Sequence, residues 1–173
     1  VIPANAIATE EENTAVNTQS TEGEIDFTCG ENAEWKLEEG VLTISGTGDM
    51  YDYSSTEAAP WVDFVEQITS VVIEEGITTI GDYAFYDCDS LESVTIPSSV
   101  TSICYEAFYS CDSLTTVTMS DSATYIGDSV FSSSPVKELI VADGSKTITY
   151  AMLESLYDIE KITIPSSVTS IGA

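Results

Sequence analysis

The chain repeats itself. ITSVVIEEGITTIGDYAFYDCDS begins at Ile68, LESVTIPSSVTSICYEAFYSCDS at Leu91 and LTTVTMSDSATYIGDSVFSSSP at Leu114. VKELIVADGSKTITYAMLESLYD follows from Val136 and IEKITIPSSVTSIGA from Ile159. One register of 22–23 residues therefore covers 68–173, with its single shortening between Phe131 and Val136. Each copy is too small to bury an apolar face alone, so copies must stack on one another. The period thus predicts a solenoid before any single residue is considered.

Each column of the alignment has a physical meaning. Leu91, Val94 and Ile96 form L-x-x-V-x-I, whose V-x-I part has period two and reads as a short strand with one face inward. Val71 and Ile73, Val117 and Met119, Leu139 and Val141, and Ile162 and Ile164 are its equivalents. A second apolar pair, Val100 and Ile103, recurs as Ile77 and Ile80 and as Val168 and Ile171. Ala107-Phe108 recurs as Ala84-Phe85, Val130-Phe131 and Met152-Leu153, predicting a ladder of large side chains through the core. Pro97 and Pro165 end strands where no further donor is needed. Gly81, Gly127 and Gly172 share a column and suggest a bend with an unusual backbone angle. Cys104 and Thr149 fill that column in the other two turns, which weakens a simple left-handed requirement.

These columns resemble the BspA-like leucine-rich-repeat family, with its S-I-G-x-x-A-F core. The likeness extends upstream: CGENAEWKLEEGVLTISGTGDMYDY followed by APW is similar to the N-terminal cap that precedes such repeats. From the residues alone, Trp35 and Leu37, a turn at Glu38-Glu39-Gly40, then Leu42 and Ile44 read as a β-hairpin covering the open end of the core. The expected fold is a right-handed leucine-rich-repeat solenoid, mainly β. It has one short strand per turn in a parallel sheet, short 3-10 or irregular segments opposite, and a hairpin cap. Residues 1–24 are expected to be a signal-peptide remnant, ending in Ala4-Asn5-Ala6, and a disordered polar tail. Residues 25–67 form the cap, and 68–173 hold five repeats, the last incomplete. The missing Ala-Phe element after Gly172 suggests a longer array. The strand at 161–165 is then an open edge, prone to fray or to pair with a second copy.

Composition removes several functions. Four lysines (Lys36, Lys137, Lys146, Lys161) face 30 Asp and Glu, and there is neither Arg nor His, for a net charge of -26. No cationic footprint exists for nucleic acid or for an anionic membrane surface. Imidazole acid-base chemistry and metal ligation are absent. No apolar run is long enough to insert into a membrane, and no G-x-S-x-G segment occurs. Cys88 and Cys111 occupy one column of adjacent turns. Strand spacing of roughly 4.8 Å suits a disulfide, but ladder side chains point parallel, which favours two buried thiols. Asp87, Asp89 and Asp112 offer calcium ligands without a recognisable loop, and solvated loop charge accounts for them. Plentiful carboxylates leave a glycosidase pair open on composition, but a regular solenoid predicts no deep pocket between two of them.

The reading is therefore a non-catalytic module with no cofactor, secreted or at the cell surface as the family resemblance implies. Its partner is a protein, or a glycan, bound by adhesion-like surface contact. Candidate contact residues are the outward strand positions Val72, Thr95, Thr118, Ile140 and Thr163, with Tyr86 and Tyr109, which follow the ladder Phe and should lie side by side outside the core. A structural spacer and carbohydrate binding through the cap aromatics Trp35, Tyr51, Tyr53 and Trp61 are the alternatives.

Overall fold

A computed structural model describes residues 26–154 and 156–172. The expected signal remnant and tail lie outside them. Strands β1 (Thr28–Glu38) and β2 (Val41–Met50) form the anticipated hairpin, pairing Trp35 with Ile44 and Leu37 with Leu42. Its two-residue turn, Glu39 and Gly40, holds φ of 47° and 85°. Two positive φ values define the mirror-image turn that matches strand twist. A 3-10 helix over Val62–Gln67 then leads into the repeats.

Each repeat contributes two strands: β3 (Ser70–Ile73) and β4 (Ile77–Ile80), β5 (Ser93–Thr95) and β6 (Ser102–Ile103), β7 (Thr116–Met119) and β8 (Tyr125–Ile126). β9 (Glu138–Val141) and β10 (Thr147–Ile148) follow, then a single helical turn, α1 (Ala151–Glu154), and finally β11 (Lys161–Thr163) and β12 (Ser170–Ile171). The first strands stack in parallel as β2-β3-β5-β7-β9-β11. The second strands form their own parallel ladder, β2-β4-β6-β8, with β10-β12 beyond it. This second ladder differs from the irregular wall expected there. Its strands are only two to four residues long, and inward apolar residues spaced by three, such as Ile77 and Ile80, hide the two-residue period.

β2 is the zeroth turn. Residues 41–44 pair with β3, and Gly48 and Asp49 pair with β4, so one strand seeds both ladders. β8 and β10 do not pair. There the Asp121 carboxylate accepts the Lys146 and Thr147 N–H groups, at 2.7 and 3.1 Å, where a backbone carbonyl serves the neighbouring turns.

The core is one cluster running from Cys29 to Leu156, and at its centre Phe85, Phe108 and Phe131 stack as the columns predicted. Centroids are 4.9 and 5.4 Å apart and planes within 12° of parallel. The column ends at Phe131. In the next turn Met152 is buried and Leu153 only half-buried, because the single helical turn α1 replaces the succession of turns that carries Phe in the earlier copies.

The glycine column has a different cause from the one expected. Gly81, Gly127 and Gly172 do not have positive φ. A Cβ on Gly81 would lie 2.0 Å from the Tyr51 carbonyl oxygen, and one on Gly127 would lie 2.9 Å from the Cys104 backbone. At these two positions close approach of the preceding turn excludes a side chain. The left-handed residues sit two positions either side of Phe: Tyr83 and Asp87, Glu106 and Ser110, Ser129 and Ser133, with φ from 51° to 62° among Tyr83, Glu106, Asp87, Ser110, Ser129 and Ser133. Each costs about 1 kcal/mol. The cost is offset by a third ladder, in which the N–H groups of Tyr83, Phe85 and Asp87 donate to the carbonyls of Tyr105, Ala107 and Tyr109 at 2.8–3.0 Å.

Candidate functional site

Three exterior surfaces carry the candidate residues. The first is the outer face of the main sheet. Register places Val72, Thr95, Thr118, Ile140 and Thr163 in one unbroken row, each opposite the next. Thr43 of β2 extends the row toward the cap. Thr95 and Thr163 are exposed, and Val72, Thr118 and Ile140 half-buried. Short β-branched side chains dominate the row because a pleated, half-covered surface favours them. The parallel row one step away runs Ser70, Ser93, Thr116, Glu138 and Lys161, and ends in a 2.6 Å ion pair between the last two. The surface is flat and low in charge over its middle. Ser120, two residues beyond Thr118, is buried and does not extend this face.

The second surface is aromatic. Tyr86 and Tyr109 lie side by side outside the core, with centroids 5.5 Å apart and planes 6° from parallel. Tyr83 packs against both Tyr86 and Tyr105, each at 5.5 Å. Sequence reasoning missed Tyr83 and Tyr105 because they fall in different columns; the Tyr83 N–H, donating to the Tyr105 carbonyl across the stacked turns, brings the rings together. Glu106 beside Tyr105 pushes that phenol up to about 12, and Asp87 raises Tyr86. Both stay protonated at neutral pH and remain hydrogen-bond donors.

The third is a cleft of about 200 Å³ between the cap and the first repeat, bounded by Ala58, Val62 and Val65 on one side and by Tyr83, Tyr86 and Asp87 on the other. The other cap aromatics are structural. Trp61 and Trp35 are buried, and their indole N–H groups donate to the carbonyls of Ala84 and Asp26 at 3.0 and 2.8 Å. Trp61 stacks on Phe85. These rings seal the core and leave little face for a sugar, while Tyr51 is half exposed.

The polar groups with catalytic or metal-binding potential have structural work. Cys29, Cys88, Cys104 and Cys111 are unbonded to one another. Cys111 Sγ donates to the Phe85 carbonyl at 3.1 Å, and in the next turn Ser134 Oγ donates to the Phe108 carbonyl at 2.7 Å. The column thus supplies a small side-chain donor to the Phe85 and Phe108 carbonyls, a role that spacing alone did not reveal. Burial pushes Cys111 up to about 12 and Cys104 up to about 11, far from a reactive thiolate. Among the described residues, one group of three ligand-type atoms converges within 4.8 Å: Asp52, Asp82 and Cys104. It does not include the expected Asp87, Asp89 and Asp112. Its carboxylates already accept backbone N–H groups, Asp52 from Asp82 at 2.9 Å and Asp82 from Tyr105 at 2.8 Å. No helix among the described residues is long and apolar enough to cross a membrane.

Comparison with known proteins follows the repeat geometry. A family model for the BspA type leucine-rich-repeat region matches residues 64–173 in six copies, one more than the five segments starting at Ile68. Among curated proteins, none matches the chain. Similar solved structures include a leucine-rich repeat protein from Eubacterium ventriosum, 22% identical with a TM-score of 0.46, covering 82% of this chain and 60% of that one. A leucine-rich cell surface protein from Faecalibacterium prausnitzii is 23% identical with a TM-score of 0.43, covering 91% of this chain and 46% of that one. The T. pallidum leucine-rich repeat protein is 16% identical with a TM-score of 0.38, covering 85% and 86%. The chain therefore spans less than two thirds of each of the first two, 60% and 46%. The family match covers more than half of the chain and coincides with the stacked turns, and the chain belongs to the BspA type leucine-rich-repeat family.

Proposed function

We propose that the chain is a non-catalytic, extracellular protein-binding module that presents its outer sheet face to a partner. The observation that carries this reading is the unbroken row Val72-Thr95-Thr118-Ile140-Thr163, held on five parallel strands. Regular hydrogen-bonded ladders and a stacked core fix the row in place, so binding there costs little ordering entropy. Solenoids use extended faces of this kind for macromolecular contact. Two further features support the reading. Nucleophile activation is disfavoured, since the chain has no His and the thiols are held protonated. The excess of carboxylates keeps the surface solvated and steers cationic or dipolar partners. An extracellular location fits the family.

The test is capture of extracellular polypeptides by the immobilised wild-type chain, against a Thr95→Arg/Thr118→Arg variant with an unchanged melting temperature. A saturable partner that the variant loses supports the reading. Equal capture by both removes the sheet face from the account.

A further inference from the structure

We infer that the cleft between cap and first repeat, with the tyrosine row that continues from it, is a docking site for a cationic side chain, an arginine or lysine carried by a partner polypeptide. The inference rests on the protein-binding reading and names a second contact surface for it. The cleft joins three chemistries in one place. Ala58, Val62 and Val65 give an apolar wall, Tyr83 and Tyr86 give ring surface, and the exposed Asp87 stands at the rim. Long cationic side chains have the matching order of parts, an aliphatic stem and a charged head that favours both an aromatic face and a carboxylate.

The surrounding charge singles out a cation. Asp89 lies close enough to Asp112, Asp87 and Glu66 that burial and these like charges raise its carboxyl above the ordinary value. From residue 37 to residue 136 the chain has no Lys or Arg to relieve that repulsion. Lys36, Lys137 and Lys161 are already paired with Glu38, Glu160 and Glu138. The fourth, Lys146, lies between β9 and β10, three turns along the array, so an incoming ammonium or guanidinium supplies the counter-charge that this end lacks.

The tyrosine row adds a repeat-spaced position. Tyr86 and Tyr109 stack in one column, and the next turn has Ser132 there instead of a ring. A planar guanidinium set against the far side of Tyr109 continues the stack by one step. Arginine fits this better than lysine because its head is flat. A peptide with two arginines has a place for each, one at the cleft and one above Ser132.

The experiment is isothermal titration of the full chain with an oligoarginine peptide at near-physiological salt. A length-matched glycine-serine peptide and a chitooligosaccharide are the comparison ligands. Three proteins are compared: wild type, Tyr86→Ser/Asp87→Asn, and Glu39→Gln on the hairpin turn. Serine already fills the tyrosine column at Ser132, and asparagine tolerates the positive φ of Asp87, so the double variant keeps the fold. Oligoarginine is expected to bind wild type and Glu39→Gln equally and the double variant about tenfold more weakly, as loss of a cation–π and a carboxylate contact implies. The two comparison ligands are expected not to bind. Equal weakening in Glu39→Gln would show diffuse attraction to the net charge and overturn the inference. So would unchanged affinity in the double variant, or preference for the chitooligosaccharide. A captured natural partner lost by Thr95→Arg/Thr118→Arg but indifferent to the double variant overturns this site alone and leaves the sheet-face reading standing. Absence of any polypeptide binding overturns both.

Discussion

Trp61 lies flat against Phe85, with ring centroids 5.3 Å apart and planes 17° from parallel, so the cap supplies the first rung of the aromatic column. The column Trp61-Phe85-Phe108-Phe131 ties cap and repeats into one core. Phe108 has an aromatic neighbour on both sides and no solvent exposure. Phe108→Ala is expected to destabilise the chain by about 3–5 kcal/mol, the range for deleting a fully buried Phe. Trp61→Ala should cost a similar amount and also strip the Ala84 carbonyl of its donor. Denaturant unfolding of both variants measures this. A loss below about 1 kcal/mol at Phe108 would contradict the stacked register.

The thiol at Cys111 is expected to matter as a donor. Cys111→Ser keeps a hydrogen bond to the Phe85 carbonyl, as Ser134 does one turn later at Phe108. Cys111→Ala leaves that carbonyl with only the long Cys88 N–H contact at 3.4 Å and should cost about 1 kcal/mol. Urea melts of the two variants separate the roles, since a site needing only bulk would accept Ala better than Ser.

Glu75 links two turns through its carboxylate. Its Oε1 accepts from the Ser98 N–H and hydroxyl at 3.1 and 2.8 Å, and its Oε2 accepts from the Ser99 N–H at 3.0 Å. These bonds hold its carboxyl below the ordinary value, with the Ser98 hydroxyl the largest cause. A depressed folded value means that this contribution is fully present above the ordinary carboxylate range and is lost as pH falls through the folded value. Glu75→Ala should therefore melt below wild type at pH 7, and the gap should close as pH drops below the ordinary value of 4.5. Melting curves at pH 7 and in the acid range check it. A gap that widens in acid would contradict the assigned sign.

Among the described residues, the turn at 159–172 is the least covered. β11 is the outer strand of its sheet, Ile164 is 50% exposed and Ile171 is 74% exposed. Amides of residues 159–172 should exchange with solvent much faster than those of 91–119, where both neighbouring turns are in place. Hydrogen exchange followed by mass spectrometry resolves the two segments. Equal protection in a demonstrated monomer would contradict the weak coverage of Ile164 and Ile171.

Much of this architecture was legible in the sequence because its cause is periodic. Leu91, Val94 and Phe108 recur at fixed spacing, and only stacking satisfies all the columns together. The row at Val72, Thr95 and Thr118 followed from strand alternation. What escaped reading depends on backbone geometry that side-chain identity does not encode. Tyr83 and Glu106 hold left-handed φ with ordinary side chains, so no glycine marked the third ladder. Gly81 marks a close approach to Tyr51 instead, which a turn rule misassigns. The cleft beside Tyr86 was hidden because it forms between segments distant in sequence, the Ser54–Val65 connection of the cap and the first repeat.

The binding account is tested most directly by footprinting the chain alone and with its captured partner. Hydroxyl-radical oxidation reads side-chain exposure residue by residue. Protection is expected at Val72, Thr95, Thr118, Ile140 and Thr163 along the sheet, with Tyr86 and Tyr109 protected as well when the partner carries arginine. Tyr51 in the cap and Tyr157, exposed near the last turn, should be oxidised equally in both states. A saturated complex in which the row and the two tyrosines stay as reactive as in the free chain would contradict the claim that this solenoid binds through its outer faces.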